Sequence, residues 1–116
     1  MVLRIDDYGF GYIVVDGVRY SRDLIILPDR LINNWWRKEG HRIDLDDLRD
    51  ILNVDLEYVV IGTGYFGRVH VSDEVLKELE RKNVKLIITD SRNAWRKYNE
   101  LVDKGVKVGG AFHLTC

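Results

Sequence analysis

The chain has 116 residues, of which 46% are apolar and 32% charged, enough for one compact domain with a real core and unlike a disordered chain. Its 18 basic and 19 acidic side chains leave a formal charge of −1, so no long-range pull toward nucleic acid or an anionic membrane is expected. The single cysteine, Cys116, excludes an internal disulfide framework; no apolar run approaches the ~20 residues of a bilayer span, and the acidic start lacks a secretory apolar segment, so a cytoplasmic location is expected.

Residues 1–43 have β character. In GYIVVDGVRYS the pair Asp16-Gly17 separates two β-branched runs and predicts a tight hairpin. DLIILPD is another short apolar run, stopped at Pro28. LINNWWRKEGHRI is read as one or two strands turning near Gly40. Asp44 opens a short helix. Leu45, Leu48, Ile51 and Leu52 share one face, and Asp46 and Asp47 fall in the first turn, where the helix dipole favours carboxylates.

The second half has the pattern β-α-β-α-β. EYVVIG has the continuous apolar centre of a strand covered on both faces. Ser72 is a suitable N-cap for a helix through Lys82, with Val75, Leu76 and Leu79 facing inward. VKLIIT is the next buried strand. Asp90 or Ser91 caps a second helix whose inner face is Ala94, Trp95, Tyr98, Leu101 and Val102, and Gly105 follows it as a C′ glycine. VKVGGAFHLTC is the last strand, in which Gly109-Gly110 marks a bulge or a close backbone approach. Such alternation implies parallel strands joined by crossovers. The expected fold is α/β: a single three-layer domain over residues 1–116 with a mixed β-sheet, N-terminal antiparallel strands coming first and β-α-β-α-β after them.

Gly62, Gly64 and Gly67 spell G-x-G-x-x-G behind a strand, and Asp90 ends the next strand, as a dinucleotide fingerprint asks. Two features oppose that reading. RVHV, residues 68–71, looks extended and would carry the helix start away from the loop, where its free amides are needed. Only one β-α-β-α-β run exists, whereas a dinucleotide takes two mononucleotide halves. A tight turn at the strand end is the first reading, and a small anion held by loop amides and Arg68 the second.

Gly62-Thr63-Gly64 behind a strand, Asp90 at the end of the next, then Ala94, Tyr98-Asn99 and Leu101 ahead of the apolar stretch 106–114, resemble a small α/β domain family of unknown function found in all domains of life. Its members include an adipogenesis-associated cytosolic protein and mitochondrial complex I assembly factor three. The likeness covers the second half well and the first half in outline. It implies a three-layer α/β fold around a mixed sheet, no established catalysis, and assembly or regulatory roles through protein partners. Many relatives carry a Thr, and a Cys after the Ala, where this chain has SRNAW, so roles tied to those positions do not carry over.

Asn99 sits mid-helix, where asparagine is a poor helix former, and either lines a pocket or bonds a neighbouring backbone group. His113 and Cys116 have metal-ligand types, but zinc wants three or four ligands and no second pair exists, so no metal is assigned. No serine lies in a nucleophile motif, and Ser72 and Ser91 are read as helix caps. In NNWWRKEGHR, a strand would turn Trp35 and Trp36 to opposite faces, leaving one of them exposed. Trp35, Trp36 and Arg37 are therefore interface candidates after core packing, with nucleic acid last because of the near-zero charge.

Two functional readings follow. The first is a non-catalytic binding domain acting through an unidentified protein partner or as a homodimer, with no cofactor, no catalytic residue and no membrane or nucleic-acid contact. The second is a small-molecule pocket at the glycine-loop end of the sheet, formed by Thr63, Gly64, Tyr65, Arg68, Asp90, Asn93, Arg96 and Asn99.

Overall fold

In the computed structural model, which describes residues 3–116, the chain enters as an antiparallel meander of β1 (Ile5–Gly9), β2 (Tyr12–Val15) and β3 (Val18–Tyr20). Asp16 at φ 47° and Gly17 at φ 80° make the two-residue turn between β2 and β3, both in the left-handed region that matches strand twist. β4 (Leu24–Leu27) and β5 (Arg30–Asn33) form a second hairpin about Pro28-Asp29, where proline has no N–H to continue the ladder.

Residues 34–41 are irregular and correct the expectation of a strand through the two tryptophans. Asn34, at φ 61°, turns the chain out of the sheet. The short β6 (Arg42–Ile43) is followed by a 3-10 turn, Leu45–Leu48, that runs into α1 (Arg49–Leu52). The Asp44 N–H donates to Asp47 Oδ2 at 2.8 Å, which closes this helical start.

β7 (Tyr58–Thr63), β8 (His70–Val71), α2 (Asp73–Arg81), β9 (Lys85–Thr89), α3 (Ser91–Asp103) and β10 (Val108–His113) complete the chain. The main sheet has the order β5-β4-β10-β7-β9. β10 lies parallel to β7 and antiparallel to β4, and β9 lies parallel to β7. β6 and β8 pair in parallel as a separate two-stranded piece.

Strand alternation sorts the core into two halves. Ile25, Leu27, Val59 and Ile61 point to one face and pack with Ile51, Val75 and Leu79 of α1 and α2. Leu24, Ile26, Val60 and Phe112 point to the other, against Ile5 and Ile13 of the meander and Ala94, Tyr98 and Leu101 of α3. This is the expected three-layer arrangement with a mixed sheet at its centre. Val59, Val60 and Ile61 are fully buried, each contributing about 1.5–3 kcal/mol.

Three expectations change. β9 is an edge strand, not one buried on both faces, and Ile88 is 40% exposed. Leu76 turns outward from α2, since Val75 and Leu79 alone meet the sheet. Trp95 and Val102 are only half-buried, at the margins of the inner face of α3. Of the two readings of Gly109-Gly110, the bulge does not form, since the register with β4 and β7 runs on unbroken, and the close approach does: a Cβ on Gly109 would lie 2.8 Å from the Leu56 side chain and 3.6 Å from Ile26 O.

Asn99 ties α3 to the meander. Its amide nitrogen donates to Ile5 O at 2.6 Å and its oxygen accepts from Ile5 N–H at 3.0 Å. Asn99→Ala leaves that buried backbone pair without partners, so we expect a loss of about 2 kcal/mol in urea unfolding. A loss below about 0.5 kcal/mol would show that the two elements hold together without this bridge.

Candidate functional site

The glycines after β7 permit close packing. A Cβ on Gly62 would lie 2.7 Å from Ser91 Oγ, and one on Gly64, at φ 105°, would lie 2.7 Å from Thr115 O and 2.9 Å from the His113 ring. Four of the loop amides already have acceptors. Gly64 N–H donates to Ser91 Oγ at 2.9 Å and Tyr65 N–H to Thr115 O at 2.8 Å. Gly67 N–H and Val69 N–H donate to Gly64 O and Thr63 O, both at 3.1 Å. The chain then runs on to β8, and α2 begins only at Asp73.

The first turn of α3 is similarly engaged: Ser91 N–H reaches Gly64 O at 2.9 Å, and Asn93 N–H reaches Asp90 Oδ1 at 3.2 Å. An anion at either place would have to displace these bonds. Ser91 is not the cap that its position suggested. Asp90 caps α3, and the buried Ser91 hydroxyl instead donates to His113 O at 2.6 Å.

Beside this loop, between the β1–β2 hairpin and the start of α3, lies an open groove of about 700 Å³. Tyr8, Phe10 and Tyr12 form one wall, and Arg92, Asn93, Trp95 and Arg96 the other, with Tyr65 between them. Three and four residues apart, Arg92, Trp95 and Arg96 share a helix face. Tyr65 has Phe10 at 5.7 Å and Phe66 at 5.1 Å between ring centroids.

Three guanidiniums stack on aromatic rings at this rim. Arg92 lies 4.9 Å from the Tyr65 centroid, Arg68 5.4 Å from Phe66, and Arg96 5.3 Å from Trp95. A stacked guanidinium keeps its edge N–H groups free for a carboxylate. Arg92 also faces Asp90 at 3.4 Å, whereas Arg68 and Arg96 form no ion pair among the described residues.

The carboxylates here have structural duties. Asp7 accepts from Tyr12 Oη at 3.0 Å. At Asp90, burial pushes the carboxyl up, but hydrogen bonds from the Asn93 side chain and backbone and the nearby Arg92 outweigh it and hold it below its usual value. Burial pushes the Tyr8 phenol up to about 12, only partly opposed by the Ser91 hydroxyl. It serves as a neutral donor to Leu114 O at 2.9 Å.

A second polar cluster joins three distant segments. Asp23 Oδ2 accepts from Arg37 Nη1 at 2.7 Å and lies 2.6 Å from His113 Nδ1, while Asp23 Oδ1 accepts from Leu114 N–H at 2.9 Å. Burial pushes the Asp23 carboxyl up, yet the His113, Arg37 and Leu114 donors together hold it below its ordinary value. The Arg37 side chain is only 6% exposed and lies over Trp35, 5.0 Å from its ring centroid.

Of the expected pocket residues, Tyr65, Asn93 and Arg96 meet in the groove. Thr63 is buried, with its hydroxyl 3.2 Å from Thr89 O; Gly64 packs on the chain end; Arg68 stands on the outer rim; Asp90 is a cap; and Asn99 faces the meander. Of the interface candidates, Trp35 is buried and donates Nε1–H to Asp47 O at 2.8 Å, Arg37 is buried on Asp23, and Trp36 is 76% exposed. Sequence reasoning missed Tyr8, Phe10, Phe66, Arg92 and Asp23. The shared helix face of Arg92 and Arg96 was a usable signal for one of them; the others depend on contacts between distant segments.

A family model described as "Protein of unknown function (DUF498/DUF598)" matches residues 5–113. The chain is similar in structure to the conserved hypothetical protein PH1505 from Pyrococcus horikoshii OT3, with 24% identity, a TM-score of 0.87, and coverage of 97% of this chain and 99% of that one. It is also similar to a Bordetella pertussis protein described as a Mth938-like domain, with 23% identity, a TM-score of 0.71, and coverage of 96% and 85%. A protein described as an outer membrane protein from Bartonella henselae matches with 19% identity, a TM-score of 0.84, and coverage of 99% and 97%. At these identities the likeness establishes the fold. Among the described residues, no helix is long and apolar enough to cross a membrane.

Proposed function

Because the chain belongs to the DUF498/DUF598 family of proteins of unknown function, its role is read from its own surface, and we propose a non-catalytic, assembly-type binding domain that works through protein contacts at the aromatic–arginine groove. The observation that carries this reading is the set of three arginine–aromatic stacks on one open rim, beside Phe10 and Phe66 at 54% and 56% exposure. Exposed aromatics and arginines are the residue types that dominate binding energy at protein interfaces. The partner is a segment that brings carboxylates to Arg68 and Arg96 and an apolar side chain to Phe10 and Phe66, either from another cytoplasmic protein or from a second copy of this chain.

The alternative, a small-molecule or anion pocket at the Gly62–Gly67 loop, has against it that the Gly64, Tyr65, Gly67 and Val69 amides are already bonded within the fold. Photo-crosslinking separates the readings. A benzophenone amino acid replacing Phe66, in the cells that make the protein, is expected to yield one discrete protein adduct, absent when it replaces Leu76 on α2. The adduct is lost in the Arg68→Glu/Arg96→Glu variant. A self-adduct at twice the 13.6 kDa chain mass identifies a homodimer. Equal labelling from both positions, or none from Phe66, overturns the proposal.

A further inference from the structure

We propose that the recess beside Asp23 and His113 is a second binding site, separate from the groove, for a small planar aromatic anion that carries a hydrogen-bond donor. The recess holds about 430 Å³ and lies at the carboxyl end of β10, a central strand with a parallel neighbour, where α/β sheets commonly take ligands. Trp36 forms one wall, and His113 and Thr115 another, with Arg22 also on the lining.

The chemistry of the ligand follows from the imidazole. A carboxylate only accepts, so the 2.6 Å contact places the ring proton on Nδ1, donated to Asp23 Oδ2. Arg37 Nη2, 3.2 Å from Nδ1, is then a neighbouring donor whose own bond goes to Gly40 O at 2.9 Å. When Nδ1 carries the ring's one proton, Nε2 is an acceptor, and it has no hydrogen-bond partner among the described residues. An N–H or O–H on the ligand satisfies it.

The body and charge of the ligand follow from the walls. Trp36 presents an indole at 76% exposure, because the left-handed turn at Asn34 sends Trp35 inward and its neighbour out. That face suits a planar ring. Asp23 already balances Arg37 at 2.7 Å, which leaves Arg22 as the unmatched charge on the lining among the described residues, and it calls for an anion.

The probe is 4-hydroxybenzoate, with benzoate lacking the donor and phenol lacking the charge, each titrated into the full chain and followed by two-dimensional amide and indole NMR. Saturable shifts of the Trp36 indole N–H and the Thr115 amide are expected below about 10 mM, with benzoate and phenol each about tenfold weaker. Trp36→Ala, which removes an exposed side chain and leaves the melting temperature unchanged, is expected to weaken binding about tenfold. His113→Gln abolishes the preference over benzoate. Arg96→Glu, in the groove, leaves this binding unchanged. Absence of saturable shifts, equal affinity for benzoate, or full affinity in Trp36→Ala overturns the proposal.

Discussion

Asp23→Ala is expected to lower stability by about 3–5 kcal/mol at neutral pH, because it strands a guanidinium inside the fold. The Arg37 side chain is 6% exposed and has Asp23 as its one carboxylate partner among the described residues. The same deletion frees His113 Nδ1 and the Leu114 amide, so three segments separated by as many as 91 positions lose a common acceptor. Asp23→Asn keeps the shape and part of the hydrogen bonding, and is expected to lose less. Urea unfolding of both variants measures the difference. A loss under about 1 kcal/mol for the alanine variant would mean that the buried cation finds another acceptor.

The same carboxyl predicts an acid limb in the stability curve. Its folded value lies below the ordinary 3.8, so its contribution is fully present above pH 3.8 and is lost as the pH falls through the folded value. In Asp23→Asn that limb flattens, because no proton is taken up at this position on unfolding. A wild-type acid limb that persists unchanged in Asp23→Asn would assign it to other carboxylates.

Gly64→Ala is the second large effect, with an expected loss of about 3 kcal/mol and a fall in melting temperature of about 10 °C or more. Two costs combine. At φ 105° a side chain is strained whatever the space, and the new Cβ would lie 2.7 Å from the Thr115 carbonyl, a backbone atom that cannot rotate aside. Displacing that carbonyl also breaks its 2.8 Å bond to the Tyr65 amide. Gly17 provides the comparison: it has φ 80° and nothing within 4 Å, so Gly17→Ala meets the backbone cost alone. Gly40, with neither constraint, tolerates alanine. If Gly64→Ala and Gly17→Ala lose equally, the chain end yields freely and contributes no packing at this loop.

The parts of the fold legible in the sequence were those with short-range causes. Asp16-Gly17 specified its own turn and Gly105 the helix end, and the start of α3 was narrowed to Asp90 or Ser91, since each acts within a few residues. The extended segment before α2 was equally legible, and it separates this loop from a dinucleotide cradle. The two tryptophans were assigned opposite fates through the wrong element: a left-handed turn at Asn34, rather than strand alternation, buries Trp35 and exposes Trp36.

The candidate site was legible only in fragments. Tyr65, Asn93 and Arg96 do converge, but their groove needs Tyr8, Phe10 and Tyr12 from a hairpin more than fifty residues away in the chain. Asp23, first residue of the run DLIILPD, carries no local sign of its role. Arg37 returns to it through the β4–β5 hairpin, and His113 reaches it only because β10 inserts between β4 and β7.

By itself, then, the sequence determined the three-layer α/β class, the two long helices and the Asp16-Gly17 turn, because hydrophobic period and backbone preference are local properties. Only the tertiary structure decided that β9 is an edge, that Ser91 bridges a loop to a strand, and that one carboxylate holds three distant segments. Those outcomes depend on strand order, and strand order is set by which apolar faces pack most completely once the whole chain is folded, a sum over contacts that no single stretch contains.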